Sequence, residues 1–347
     1  MSDKKAARYK RRVSESLEAA LSEAGEPLPF DAASDRLIVF SDQHKGVRDK
    51  ADDFAKSERA YNAALAYYFQ RGHTLVALGD VEELWENTAA PVLRAYERTL
   101  GLEAEFHGAG RYRRVWGNHD DLWEFHGPVK RYLQPLFPGI QVPQSILLSI
   151  RYGDEELGRL LLLHGHQGEV CSDRYRKIAR FGVRYFWRPI QRLTGWRLGT
   201  PATDWKLRDG HNRVLHDWAE GKERFVLVAG HTHRPVFESL LHEARLEEEL
   251  KDARAGGEQD AVAAKRAELE WIMAQDPNQP SGPARALDVR RPAYFNTGCC
   301  SYPDGDITGI EIADGEIRLV RWPNEQDEPK PEILAREQVT AVFARCE

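Results

Sequence analysis

The stretch VWGNHDDLW, residues 115–123, ends an apolar approach (Tyr112, Val115, Trp116) on an amide, an imidazole and a carboxylate, with only Gly117 to turn on, before a helix-like run begins. The same ending recurs along the chain. RLIVFSDQH (36–44) is a short apolar run that stops on Asp42 and His44, and HTLVALGD (73–80) stops on Asp80. GRLLLLHGHQGE (158–169) reaches His164, and RFVLVAGHTH (224–233) reaches His231 and His233. Short apolar runs bounded by turn residues read as buried strands. Loops at strand ends are where a rigid sheet can aim several side chains at one point. Carboxylate, amide oxygen and imidazole donors without cysteine suit divalent ions such as Mn, Fe or Zn. One such ending means little; five in one chain point to a shared metal centre.

The bulk numbers agree with a folded enzyme-sized chain. The 347 residues are enough for one large or two medium domains, and 41% apolar with 10% aromatic residues excludes global disorder. A net charge of −6 gives no general case for nucleic acid. Cys171, Cys299, Cys300 and Cys346 lack a CxxC spacing and read as unpaired thiols in a reducing compartment. MSDKKAARYKRRVSESLEAAL (1–21) is basic but has no following apolar core of a signal peptide. Nothing approaches the roughly 18 apolar residues of a membrane span, so a soluble, cytoplasmic protein is expected.

Strands separated by helices early and hairpins late predict an α/β fold with mixed sheets. Residues 1–30 carry an N-terminal helix, on which Tyr9, Val13, Leu17 and Leu21 recur every fourth position. The body spans 36–236 with 291–322, where ITGIEIADGEIRLVRW (307–322) reads as a hairpin. Two helical insertions interrupt it, a basic lid-like one at 171–222 and a charged one at 237–290, and 323–347 reads as a polar tail.

In order, DQH (42–44), GDVEE (79–83), GNHD (117–120), His164 before Gly165, and GHTH (230–233) resemble the calcineurin-like metallophosphoesterase family. NTGCC (296–300) is similar to the late strand that often follows them. The resemblance implies a four-layer α-β-β-α sandwich of two mixed sheets with a two-metal centre at the strand ends. It implies that Asp42, His44 and His233 hold one ion, that Asn118, His164 and His231 hold the other, and that Asp80 bridges them. Mn is the expected metal, with Fe, Zn or Mg as the other candidates. Two cations about 3.5–4 Å apart can share a hydroxide and clamp both oxygens of an in-line displacement at phosphorus. His119 is then not a ligand: it stabilises charge on phosphate and protonates the leaving oxygen. Glu83 or Asp120 would hold its ring, Glu83 standing where the family usually has Asp.

Leu84 and Trp85 follow Glu83, where protein phosphatases of the family usually have arginine next. GDVEELWE and LLHGHQGE instead resemble the branch containing UDP-2,3-diacylglucosamine hydrolases, although that branch commonly has arginine at the His119 position. The expected substrate is a phosphorylated small molecule or a lipid-linked phosphodiester, pyrophosphate or phosphomonoester. Lys177, Arg180, Arg184 and Arg188 share one helical face beside Ile178, Phe181 and Tyr185. That face could hold the substrate through Arg180 and Arg184, rest on an anionic membrane, or pair with the acidic second insertion. His166 is a further candidate for substrate contact. A nuclease of the same fold is the alternative, disfavoured by the acidic balance. A non-catalytic scaffold would have eroded ligands, and none is eroded here.

Overall fold

These apolar runs become the central strands of two sheets in the computed structural model, which describes residues 3–168, 205–275 and 291–347. The first third of the chain supplies α1 (Asp3–Glu23), β1 (Leu28–Asp31), β2 (Leu37–Phe40), α2 (Glu58–Gln70), β3 (Thr74–Leu78), α3 (Ala89–Ala95), α4 (Glu97–Gly108) and β4 (Tyr112–Val115). Then come β5 (Ser145–Tyr152), β6 (Glu155–Leu163), α5 (Trp205–Glu220), β7 (Phe225–Ala229), β8 (Val236–Phe237), β9 (Leu240–Leu241), α6 (His242–Gly256) and α7 (Gln259–Ala274). The last are β10 (Tyr294–Asn296), β11 (Ile307–Ala313), β12 (Glu316–Trp322), β13 (Glu332–Gln338) and α8 (Val339–Ala344).

One sheet has the order β1-β5-β6-β7-β10-β8-β9 and the other β13-β12-β11-β2-β3-β4. Both are mixed. β2, β3 and β4 run parallel, as do β6, β7 and β10, while hairpins add antiparallel partners. The strands read as continuous apolar runs because both faces are covered. Alternation sorts them: Leu37, Val39, Val76 and Leu78 face the other sheet's Leu161, Leu163 and Val228 in one core. Ile38, Phe40, Leu75 and Ala77 face outward onto Tyr61, Leu65 and Tyr68 of α2 and Leu100 and Phe106 of α4. On the opposite side α1 and α5 cover the seven-stranded sheet through Val13, Leu17, Leu215 and Trp218. The result is the expected helix-sheet-sheet-helix layering.

The expected insertions are visible only in part. Of the first, α5 is described, and Arg180 and Arg184 lie outside the described residues. In the second, α6 and α7 form a helical hairpin turned at Gly257, whose left-handed φ of 73° ends α6. No helix among the described residues is long and apolar enough to cross a membrane.

Two segments differ from the sequence reading. Residues 28–31, expected as a break after the first helix, form edge strand β1, parallel to β5. Residues 323–347, expected as a polar tail, instead supply β13, antiparallel to β12, and α8, whose Val339, Val342 and Phe343 enter the inter-sheet core. The charged flanks of β13 hid it, since an edge strand buries little beyond Leu334 and Ala335. Phe343→Ala should therefore destabilise the protein by about 3–5 kcal/mol. Denaturant unfolding checks this, since truncation in a solvated tail would leave the midpoint unchanged.

Candidate metal centre

Strand register brings the endings together. Phe40 pairs with Ala77 and Leu78 with Val115, so Asp42, Asp80 and Asn118 leave neighbouring parallel strands at one edge. In the other sheet Leu162 pairs with Val228 and Val228 with Phe295, which aligns the exits of β6, β7 and β10. Face-to-face packing then joins the two sets. Asp42, His44 and His233 place ligand atoms within 4.8 Å of one another, as do Asp80, His164 and His231, and as do His44, Asp80 and His119. The turns that achieve this are strained. Asp42 (φ 56°), His44 (49°), Asp80 (50°), His231 (66°) and His233 (56°) are all left-handed, a conformation costing a non-glycine residue roughly 1–2 kcal/mol. Such strain persists where the surroundings enforce it, commonly at functional sites.

The rings are oriented by what their outer nitrogens touch. His164 Nδ1–H donates to the Leu78 carbonyl at 3.0 Å, leaving Nε2 to face Asn118 Oδ1 at 3.2 Å and Asp80 Oδ2 at 3.1 Å. His44 Nδ1–H donates to Glu83 Oε2 at 3.3 Å, and its Nε2 faces His233 Nε2 at 3.2 Å. His233 Nδ1 lies 3.5 Å from Cys299 Sγ, and its Nε2 lies 3.2 Å from Asp42 Oδ1. A metal-binding imidazole typically has one nitrogen on the ion and the other held in this way. Asp42 Oδ2 accepts the Ser41 hydroxyl and, at 2.9 Å, the His231 N–H, whereas its buried Oδ1 faces only the imidazoles of the cluster, His233 Nε2 being 3.2 Å away. Carboxylate, amide and imidazole atoms converging this closely in a buried cluster fit divalent cations.

The buried carboxylates draw protons onto the rings. Burial works against it, yet Asp80 and Asp42 raise His164 to about 9. Burial likewise opposes a charged His119, but Glu83 and Asp80 raise it to about 10. Burial would lift Glu83, and His119 and His44 instead bring it down to about 2. A bound cation competes with such protons.

Glu83 is the carboxylate that meets His119: its Oε2 accepts from His119 Nδ1 at 2.6 Å. Its length matters, because the same oxygen also reaches His44. Asp120, the other expected partner, faces away. Its Oδ1 accepts the Gly117 N–H at 2.6 Å, and its Oδ2 accepts the Val81 N–H and Arg114 Nη2, both at 3.0 Å. Burial raises the Asp120 carboxyl to about 6 despite the Arg114 charge. Asp120 therefore closes the turn at Gly117 rather than orienting His119. His166 is buried beside the cluster, its ring 5.4 Å from His164 and 5.1 Å from Trp116.

Other supports had weak sequence signals. Cys299 backs His233, and Ser301 Oγ donates to the Asp42 carbonyl at 2.9 Å. Vicinal cysteines beyond a strand end were the hint. Tyr9 of α1 donates to His211 Nδ1 at 2.6 Å, and His211 Nε2–H donates to the Gly165 carbonyl at 2.5 Å. No local pattern links residues so far apart in the chain.

No known protein family matches the sequence, and no curated protein does. Among solved structures the chain is similar to a conserved protein of Streptococcus pneumoniae TIGR4 described as a predicted phosphoesterase, at 13% identity over 86% of this chain and 97% of that one, with a TM-score of 0.31. Vacuolar Protein Sorting 29 of Cryptosporidium parvum matches at 10% identity over 88% and 98%, with a TM-score of 0.35. A dimetal phosphatase of Danio rerio matches at 12% over 87% and 100%, with a TM-score of 0.34.

Gly117 is there because nothing larger fits: a Cβ would lie 2.2 Å from Asp80 Oδ1 and 2.5 Å from the Asp80 nitrogen. Gly117→Ala should displace Asp80 and abolish divalent-metal binding, measured as bound metal per chain after gel filtration. Full metal content in a folded Gly117→Ala protein would contradict the packing described.

Proposed function

We propose that the protein is a metal-dependent hydrolase of phosphoester bonds. The observation that carries this reading is the convergence of buried carboxylates, imidazoles and an amide oxygen from both sheets, with His119 held by Glu83 at the rim. Asp42, His44 and His233 would hold one divalent ion and Asn118, His164 and His231 the second, with Asp80 between them. Mn is the first candidate. Bound there, the ions would supply Lewis-acid polarisation of phosphoryl oxygens and activate water near neutral pH.

The chain's own part is orientation and proton delivery. The Leu78 carbonyl, Glu83 and Cys299 fix three ligand rings. Glu83 occupies Nδ1 of His119, which leaves Nε2 as the atom that gives its proton to the leaving oxygen. The carboxylate also offsets the charge of the imidazolium. The substrate we infer is a phosphorylated small molecule or a lipid-linked phosphodiester, pyrophosphate or phosphomonoester. Support for that finer reading comes from the GDVEELWE motif and the basic run containing Arg180 and Arg184. Arg180→Glu with Arg184→Glu should raise KM for a large anionic substrate while sparing a small diester.

The primary test is hydrolysis of bis-p-nitrophenyl phosphate before chelation, after it, and after Mn²⁺ reconstitution. Activity lost and regained is expected; inactivity of metal-loaded protein toward diesters and monoesters alike would refute the proposal. Asp80→Ala should lose metal and hydrolysis together. His119→Ala should keep its metal and lose roughly 10²–10⁴ in kcat on substrates with poor leaving groups. Loss of metal from His119→Ala would instead make His119 a ligand, as its closeness to His44 and Asp80 permits.

A further inference from the structure

Trp85 lies half-buried at the rim of the centre, with its indole stacked on the imidazole of His119, ring centroids 4.9 Å apart and planes 18° from parallel. The stack is pinned at several points. The indole Nε1–H donates to the Asn118 carbonyl, so Trp85 is tied to the backbone that carries the ring it covers. The Leu84 N–H donates to the His119 carbonyl at 3.1 Å. The Trp85 and Glu86 N–H groups donate to Glu83 Oε1 at 3.1 and 3.3 Å, which leaves Oε2 for His119 Nδ1. One short turn thus presents both a carboxylate and an aromatic face to the same imidazole. His44 adds an edge contact, its centroid 4.8 Å away and its plane at 88°.

A single hydrogen bond at Nδ1 leaves the ring free to swing about that bond. A flat wall along one face removes this freedom. We propose that Trp85 is a positioning residue for proton transfer by His119, setting the direction of Nε2 toward the leaving oxygen. This rests on reading His119 as the acid. A merely structural Trp85 would not distinguish leaving groups, whereas a residue that aims the acid must do so.

The test uses full-length, metal-loaded protein and a series of methyl aryl phosphodiesters whose phenols range from acidic to weakly acidic. Trp85→Leu, Trp85→Phe, His119→Ala and the double variant Trp85→Leu/His119→Ala are compared for kcat, KM and bound metal. Trp85→Leu should keep its metal and KM and lose on the order of 10²-fold in kcat on the poorest leaving group, with little loss on p-nitrophenolate. Trp85→Phe, which keeps a flat face, should recover most of the rate, and the double variant should fall no further than His119→Ala. A graded loss in His119→Ala beside a flat one in Trp85→Leu would overturn the role of Trp85 alone. A flat profile in His119→Ala would overturn the acid reading and the role of Trp85 with it. Additive losses in the double variant would also overturn the proposal, because the two residues would then act separately.

Discussion

Asp42 and Asp80 are buried side by side at the ends of adjacent parallel strands, and the rest of the centre is built around their charge. Two carboxylates removed from water need compensation from cations or donated hydrogens. Backbone N–H groups supply some: His231 donates to Asp42, and His119 donates to Asp80 at 2.7 Å. Imidazoles from both sheets supply more. The strained φ angles and the missing side chain at Gly117 are what it takes to bring those groups close enough.

Beneath the candidate ligands is a second tier of buried charge. Arg114 joins Glu82 and Asp120, and Trp123 Nε1–H donates to Glu82 Oε2 at 2.8 Å. Lys45, next to His44, pairs with Glu103, which also accepts the Tyr112 hydroxyl at 3.0 Å. Buried ion pairs add little net stability compared with apolar packing, yet losing one partner is costly. Their contribution is therefore to hold the loops after β2, β3 and β4 at one spacing, so that the cluster above does not drift.

How far the sequence discloses this depends on how local each signal is. The apolar strands and their polar endings are contiguous, so mixed sheets and the candidate ligands could be read directly, whereas the pairing of two sheets came only from the family resemblance. Asp42, Asp80 and His164 sit where a strand stops, whatever the rest of the chain does. The roles of Glu83 and Asp120 were legible only as alternatives, because side-chain direction within a turn depends on Arg114 and Val81, which arrive from elsewhere. β13 was illegible because an edge strand with one shielded face keeps its charges. His211 belongs to no sequence motif, and its partners Tyr9 and Gly165 are distant in sequence, so nothing local marks it.

That last contact bears on when the centre can exist during synthesis. Tyr9 belongs to the first helix, His211 lies beyond the middle of the chain, and Gly165 follows His164. His233 and its neighbour Cys299 come later still. A centre assembled from such separated segments closes its loops late, and topologies with many non-local pairings fold slowly. A partly synthesised chain holds Asp42, His44 and Asp80 without the partners that offset their burial. The cluster of candidate ligands is thus a property of the nearly finished fold, because its groups come from segments that meet only when both sheets are in place.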